Sequence, residues 1–102
     1  MRFDFTDLNL FRHIVEAGSI THGAARSNLA LAAASTRIRK MELAFGTELL
    51  VRGRAGVTPT PAGRTLLQHA RTILAQTERL QEDLTPYARG LASALCRPVR
   101  ME

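Results

Sequence analysis

Between Arg26 and Arg71 the chain sets eight positive side chains against two acidic ones, Glu42 and Glu48. The eight are Arg26, Arg37, Arg39, Lys40, Arg52, Arg54, Arg64 and Arg71. All but Lys40 are arginine, whose planar fork suits bidentate contacts to phosphate oxygens and guanine edges. Residues 1–25 are slightly acidic, with Asp4, Asp7 and Glu16 against Arg2 and Arg12, and residues 72–102 are balanced. The formal net charge of +5 therefore belongs to the middle of the chain. Charge by itself fits a solvated basic surface as well as an anion-binding one. The densest cluster, Arg37, Arg39 and Lys40, lies in the stretch Asn28 to Phe45 beside Ser35 and Thr36, and residue type alone does not choose between the two.

Other chemistry finds little support. His13, His22 and His69 are scattered, and Cys96 is the only cysteine, so neither metal-ligand spacing nor an intrachain disulfide arises. The histidines read as ordinary surface or half-buried residues. No nucleophile–base pair or carboxylate dyad emerges. The glycines at 18, 23, 46, 53, 56, 63 and 90 are too dispersed for a dinucleotide loop and fit helix stops and turns. We therefore expect no enzyme, no cofactor and no metal. No apolar run approaches the roughly 20 residues of a bilayer span, and MRFDFTDLNL lacks the h-region of a signal peptide. The expected location is cytoplasmic, with no membrane partner.

Local patterns give the elements that must position the basic residues. Asp4 to Ala17 reads as a first helix: Leu8, Phe11 and Ile14 or Val15 recur at helical spacing, Thr6 or Asp4 serves as N-cap, and Gly18 stops it. Ser19 then caps a short helix from Thr21 to Ser27, packed through Ile20, Ala24 and Ala25, with the run Gly23-Ala24-Ala25 allowing a close helix crossing. In the third helix, Asn28 to Phe45, the residues Ala34, Ile38, Met41 and Phe45 form the buried face. Leu31, Ser35, Thr36 and Arg39 lie opposite, with Arg37 and Lys40 on the flanks. Gly46 ends this helix.

Glu48 to Arg52 then reads as a strand, Gly53-Arg54-Ala55-Gly56 as a tight turn, and Val57 to Pro59 as the returning strand. Three helices and such a hairpin make a winged helix-turn-helix, with Arg54 at the tip of the wing. Thr60 as N-cap and Pro61 at the first position start a long helix reaching about Thr85. Leu66, Ala70, Ile73, Thr77, Leu80, Leu84 and Tyr87 follow one another at heptad spacing along it, while Leu67 and Leu74 turn back onto the core. A second copy of the chain is the simplest partner for the far half of that seam, through Ala70, Ile73, Thr77, Leu80 and Leu84. Pro86 is expected to stop or kink the helix, and Arg89-Gly90-Leu91 to act as a hinge before a frayed tail.

The ordered motifs resemble the N-terminal DNA-binding domain of LysR-type transcriptional regulators. The likeness rests on Leu8-x-x-Phe11, Glu16-Ala17-Gly18-Ser19-Ile20-Thr21, Ala24-Ala25, Ile38-Arg39-Lys40-Met41-Glu42, Gly46-Thr47-Glu48-Leu49-Leu50-Val51-Arg52 and Thr60-Pro61-Ala62-Gly63-Arg64. It covers about residues 5–91 without a gap. The resemblance implies a mainly α, winged helix-turn-helix fold at 1–59, a dimerising linker helix at 60–88, and a hinge and tail at 89–102. It implies sequence-specific binding to double-stranded DNA as a homodimer, with helix three in the major groove and the wing over the neighbouring minor groove. Bound to DNA, the protein would be associated with the bacterial nucleoid. The effector-binding domain of the family normally follows at about Leu91. We expect it to be absent here, leaving a fragment or a stand-alone module with no assignable small-molecule effector. A tetramer would follow only if a sensor domain continued the chain. The alternative is an interaction or dominant-negative module that dimerises through the linker helix without productive DNA regulation.

Under this resemblance the candidate DNA-binding residues are Thr21, Leu31, Ala32, Ser35, Thr36, Arg37, Arg39, Arg52 and Arg54. Thr21 offers a hydroxyl to a phosphate beside backbone amides. The chain departs from the family at Ala30-Leu31-Ala32, where Ser-Gln-Pro is common, so helix capping falls to Asn28. Leu31 and Ala32 then offer only apolar contact, for example to thymine methyl groups. Hydrogen-bond readout shifts to Ser35, Thr36, Arg37 and Arg39, with Arg39 on a base or a phosphate and Arg37 on a phosphate or in solvent. Arg52 and Arg54 supply shape readout from the wing. Arg26 and Lys40 serve general electrostatics.

Overall fold

The computed structural model describes residues 3–96. Along the chain run α1 (Phe5–Ala17), α2 (Ile20–Arg26), α3 (Leu31–Phe45), β1 (Leu50–Gly53), β2 (Gly56–Pro59) and α4 (Pro61–Cys96). This is a winged helix followed by a long helix, as expected. None of the described helices is long and apolar enough to cross a membrane.

Side-chain caps start α1, α2 and α4, and a glycine stops α1. Asp4 caps α1 in a reciprocal box: the Asp7 N–H donates to Asp4 Oδ1, and the Asp4 N–H donates to Asp7 Oδ2, both at 3.0 Å. That box pulls the Asp4 carboxyl below the usual carboxylate range, chiefly through the Asp7 backbone N–H. Gly18, at φ 69°, ends α1 in the left-handed region and returns its N–H to the Ile14 carbonyl at 2.8 Å. Ser19 accepts the His22 N–H at 3.1 Å and starts α2. The Thr60 hydroxyl accepts the Gly63 N–H at 2.9 Å and starts α4, with Pro61 in the first turn.

One core joins these elements. Leu10, Phe11 and Ile14 of α1 pack with Ile20 and Ala24 of α2, Ala34, Ile38 and Met41 of α3, Leu49, Leu50 and Val57 around the wing, and Leu67 of α4. The run of small residues in α2 works through Gly23: a Cβ there would sit 2.6 Å from the Ile14 Cα and 2.7 Å from its N. The close crossing is thus made with α1. Ala25, expected to pack, faces solvent instead, because Gly23 and Ala24 already fill the contact. The crossing is locked on its far side by His13, whose Nδ1 lies 2.9 Å from the Ser27 hydroxyl. Arg12 Nη2, which can only donate, sits 3.2 Å from His13 Nε2, so the neutral ring carries its proton on Nδ1 and donates to Ser27. Burial, seconded by the Arg12 charge, pushes the His13 pKa down and keeps the ring in that neutral form.

The wing is an antiparallel pair in which Leu50 faces Pro59 and Gly53 faces Gly56, leaving Arg54 and Ala55 as the two-residue turn. It docks on the α1–α2 junction, where the Val57 N–H donates to the Gly18 carbonyl at 3.1 Å. Gly56, at φ 121°, passes so close to that carbonyl oxygen that no side chain fits.

Several expectations are corrected. Phe45 is largely exposed and tilts against Phe3, with ring centroids 5.3 Å apart, because the buried stripe of α3 ends at Met41. Asn28 does not cap α3. It sits in the left-handed region at φ 57°, the helix begins at Leu31, and Ala30 at the N-cap makes no side-chain bond. Pro86 does not stop α4, which continues through it to Cys96, so residues 89–91 are helix and not a hinge. The carbonyl four residues before Pro86 belongs to Glu82, which is exposed to water, and the Thr85 hydroxyl bonds the neighbouring Gln81 carbonyl at 2.7 Å. The tail at 97–102 lies outside the described residues.

Candidate nucleic-acid interface

The third helix buries Ala34, Ile38 and Met41, and at about 100° per residue this leaves Leu31, Ala32, Thr36, Arg39 and Lys40 turned outward. Ser35 is half-buried at the edge of that face. Leu31 is 50% exposed, so the first turn presents a small apolar patch followed by polar and basic residues. The Thr36 hydroxyl donates to the Ala32 carbonyl at 3.0 Å. Its proton is therefore used within the helix, and the hydroxyl meets a ligand as an acceptor.

Beside this face the wing carries Arg52 on β1 and Arg54 in the turn, both exposed. Ile38 and Glu42 of α3 line a cleft of about 290 Å³ together with Leu50, Val51 and Arg52, which places β1 next to the reading helix. Arg39, Lys40, Arg52 and Arg54 have no acidic side chain within ion-pair distance among the described residues. These are unpaired, solvated cations on one helix face and the adjoining hairpin, an arrangement suited to phosphates along a groove. Thr21 is exposed in the first turn of α2.

Arg37 departs from its expected role. Its Nη1 donates to Asp7 Oδ1 at 2.9 Å and lies 3.5 Å from Asp4 Oδ1, which ties the guanidinium to the cap of α1. The Asp7 hydrogen bond, joined by the charges of Asp7 and Asp4, raises the Arg37 pKa against the opposing effect of burial. Along α4, two residues expected in the intermolecular seam are already covered: Ala70 is fully buried within its own chain, and Leu66 is half-buried against the core. Both belong to the monomer's packing because α4 lies on α1 over its first turns. The outward seam begins at Ile73, and Leu80 and Leu84 are 55% and 51% exposed. Thr77 is half-buried between them, its hydroxyl bonded to the Ile73 carbonyl at 2.9 Å.

Sequence reasoning passed over Glu42. Its Oε2 accepts the N–H groups of Leu49 (2.8 Å) and Leu50 (3.3 Å), while its backbone carbonyl accepts those of Gly46 (2.9 Å) and Thr47 (3.2 Å). One residue thus fastens the end of the reading helix to the root of the wing. The Thr60 hydroxyl, donating to the Glu48 carbonyl at 2.7 Å, holds the same root from the other side. An acidic residue four positions before a helix-ending glycine and just ahead of a strand was the available signal. Glu42→Ala should lower stability by about 2 kcal/mol, the usual size for orphaning half-buried N–H groups. It should also speed amide exchange at Leu49 and Leu50, read by hydrogen-exchange NMR; unchanged exchange there would reject the assignment.

Residues 5–64 match the family model described as bacterial regulatory helix-turn-helix protein, lysR family. The nitrogen assimilation regulatory protein nac of Klebsiella aerogenes is 43% identical over 74 residues, 72% of this chain and 24% of that protein. The small neutral protease regulatory protein of Streptomyces coelicolor is 39% identical over 85 residues, 83% of this chain and 26% of that protein. The chain thus spans about a quarter of the length of the curated relatives it matches. Among solved structures, the CbnR DNA-binding domain in complex with DNA superposes with TM-score 0.75 at 28% identity, covering 84% of this chain and 99% of that one. The BenM DNA-binding domain on catB site 1 DNA gives TM-score 0.79 at 28% identity, covering 84% and 97%.

Proposed function

Because the chain belongs to the LysR family of bacterial regulatory helix-turn-helix proteins, we propose that it binds double-stranded DNA with sequence preference, as the DNA-reading part of a transcription regulator. The observation that carries this reading is the set of four exposed, unpaired cations on α3 and the wing: Arg39, Lys40, Arg52 and Arg54. Helix α3 enters the major groove with Leu31, Ala32, Ser35 and Thr36 toward the bases. The wing lies along the adjacent minor groove, and Thr21 faces a phosphate. Leu31 and Ala32 touch thymine methyl groups, and Thr36 accepts from an exocyclic amine of adenine or cytosine. Two copies associate through the outward face of α4, presenting two reading helices to half-sites about one helical turn or more apart. The protein acts in the bacterial cytoplasm, on the nucleoid.

Salt dependence tests this reading. A duplex selected from a randomised library by the chain itself serves as probe, with binding followed by fluorescence anisotropy at increasing salt. Four phosphate-facing cations per protomer give a log–log slope of roughly −7 for the dimer, at about 0.9 per contact. Arg54→Ala should weaken binding on every sequence and make the slope shallower by about 0.9 per protomer. Binding indifferent to ionic strength, or none at low salt, would remove the proposal.

A further inference from the structure

Arg37 lies on the reading helix and carries a charge that DNA would attract, yet the fold holds it elsewhere. Its partner Asp7 is the one buried acidic group among the described residues, with a side chain 9% exposed. Both Asp7 oxygens are occupied, Oδ2 by the Asp4 N–H at 3.0 Å and Oδ1 by Arg37 at 2.9 Å. Asp4 adds a second carboxylate 3.5 Å from the same guanidinium nitrogen. Swinging Arg37 toward a phosphate would leave Asp7 buried without its cation, beside a polyanion. Removing one member of a buried pair costs more than the pair contributes, because the remaining charge loses both water and partner.

The location of the pair gives it a second consequence. On α3, Arg37 sits about 100° from Thr36 on one side and from the buried Ile38 on the other, so it stands at the border between reading face and core. The first turn of α3 has no side-chain cap, and its outward residues Leu31, Ala32 and Ala33 are apolar. Among the described residues, the Arg37–Asp7 pair is the side-chain ion pair that ties α3 to α1. Both partners line a cleft of about 550 Å³ together with Ala32, Ala33, Thr36 and Lys40.

We propose that Arg37 is a positioning residue: its ion pair with Asp7 sets the rotation of α3 against α1 and neutralises a carboxylate at the rim of the interface, and it makes no DNA contact of its own. The inference rests on the DNA-binding reading above and refines the part Arg37 plays in it. A charge-conserving double substitution provides the test. Asp7→Asn with Arg37→Gln keeps the net charge, removes both ions, and leaves two amides able to hydrogen-bond across the same junction. The probe is the duplex selected by the unaltered chain, titrated over a range of salt concentrations. Arg37→Gln alone should weaken binding about tenfold, the size expected when one member of a coupled pair is lost. The double variant should return to within about threefold of the unaltered chain, with the same salt slope.

Rescue of affinity at an unchanged slope separates a positioning role from a phosphate contact, which no neutral pair could replace. Two results would overturn the inference while leaving DNA binding intact. One is a double variant as weak as Arg37→Gln, with a slope shallower by about 0.9 per protomer. The other is an Arg37→Gln chain that binds as tightly as the unaltered one. Should Arg37→Gln fail to fold, the double variant still decides between rescue and loss. An unaltered chain that selects no duplex overturns the interface reading itself, and this inference with it.

Discussion

Gly23→Ala should lower the folding stability by about 2–3 kcal/mol and the melting temperature by roughly 10–20 °C. Alanine is the better helix former by about 1 kcal/mol, so on propensity alone the change would stabilise α2. Packing reverses the sign. The added methyl would sit 2.6 Å from the Ile14 Cα, about 1 Å inside the optimum for carbon–carbon contact. What it meets is backbone, which no rotamer change can withdraw, so α1 and α2 must part and Phe11, Ile14 and Ala24 lose contact. Overpacking of this kind reaches the upper end of its usual range, and in a chain this small a few kcal/mol is a large share of the total. Urea denaturation of the two proteins measures the difference. A variant as stable as the original would mean that the crossing is looser than the structure has it.

Leu80→Glu should convert the proposed dimer to monomers without unfolding the protomer. Leu80 is 55% exposed and lies beyond Ala70, where α4 leaves the core of its own chain, so the monomer does not depend on it. In a two-fold dimer the substitution acts twice, removing two leucines and placing two carboxylates in the seam. At about 1.5–3 kcal/mol for each leucine side chain buried, the dissociation constant of the dimer should rise at least about 100-fold. DNA affinity for a two-half-site duplex should fall by a similar or larger factor, because the second half-site is then no longer bound intramolecularly. Sedimentation velocity reads the first effect and anisotropy the second. A variant that stays dimeric would move the interface off the face of Ile73, Thr77, Leu80 and Leu84.

The same chain shows which features local patterns reveal. Gly18 and Gly46 stop their helices, and Ser19 and Thr60 start theirs, where the residue types alone place them. Caps, turns and amphipathic stripes act between residues no more than about four positions apart, so they can be read from a short window. The buried stripe of α3 leaves only one face for Thr36 and Arg39, and the wing turn follows from two glycines around Arg54. The order of such windows also carried the family resemblance, which depends on motif spacing and not on any contact.

What stayed hidden depends on residues that meet across the chain. Nothing near Arg37 marks it as the partner of Asp7, thirty positions earlier, and among eight central cations it looked like one more candidate for phosphate. Nothing in the local pattern marks Glu42 as the acceptor of the Leu49 and Leu50 amides seven and eight positions on. Ala70 looked like the first step of an intermolecular seam until α1 was found covering it, and Pro86 looked like a stop until its neighbourhood proved open to water. Composition and periodicity thus specify a basic winged helix with a long helical extension, since those follow from propensity and burial along each segment. Which cations remain free for DNA depends on which carboxylates the fold brings within 4 Å of them. That pairing is a matter of three-dimensional distance, and it separates Arg39, Lys40, Arg52 and Arg54 from Arg37.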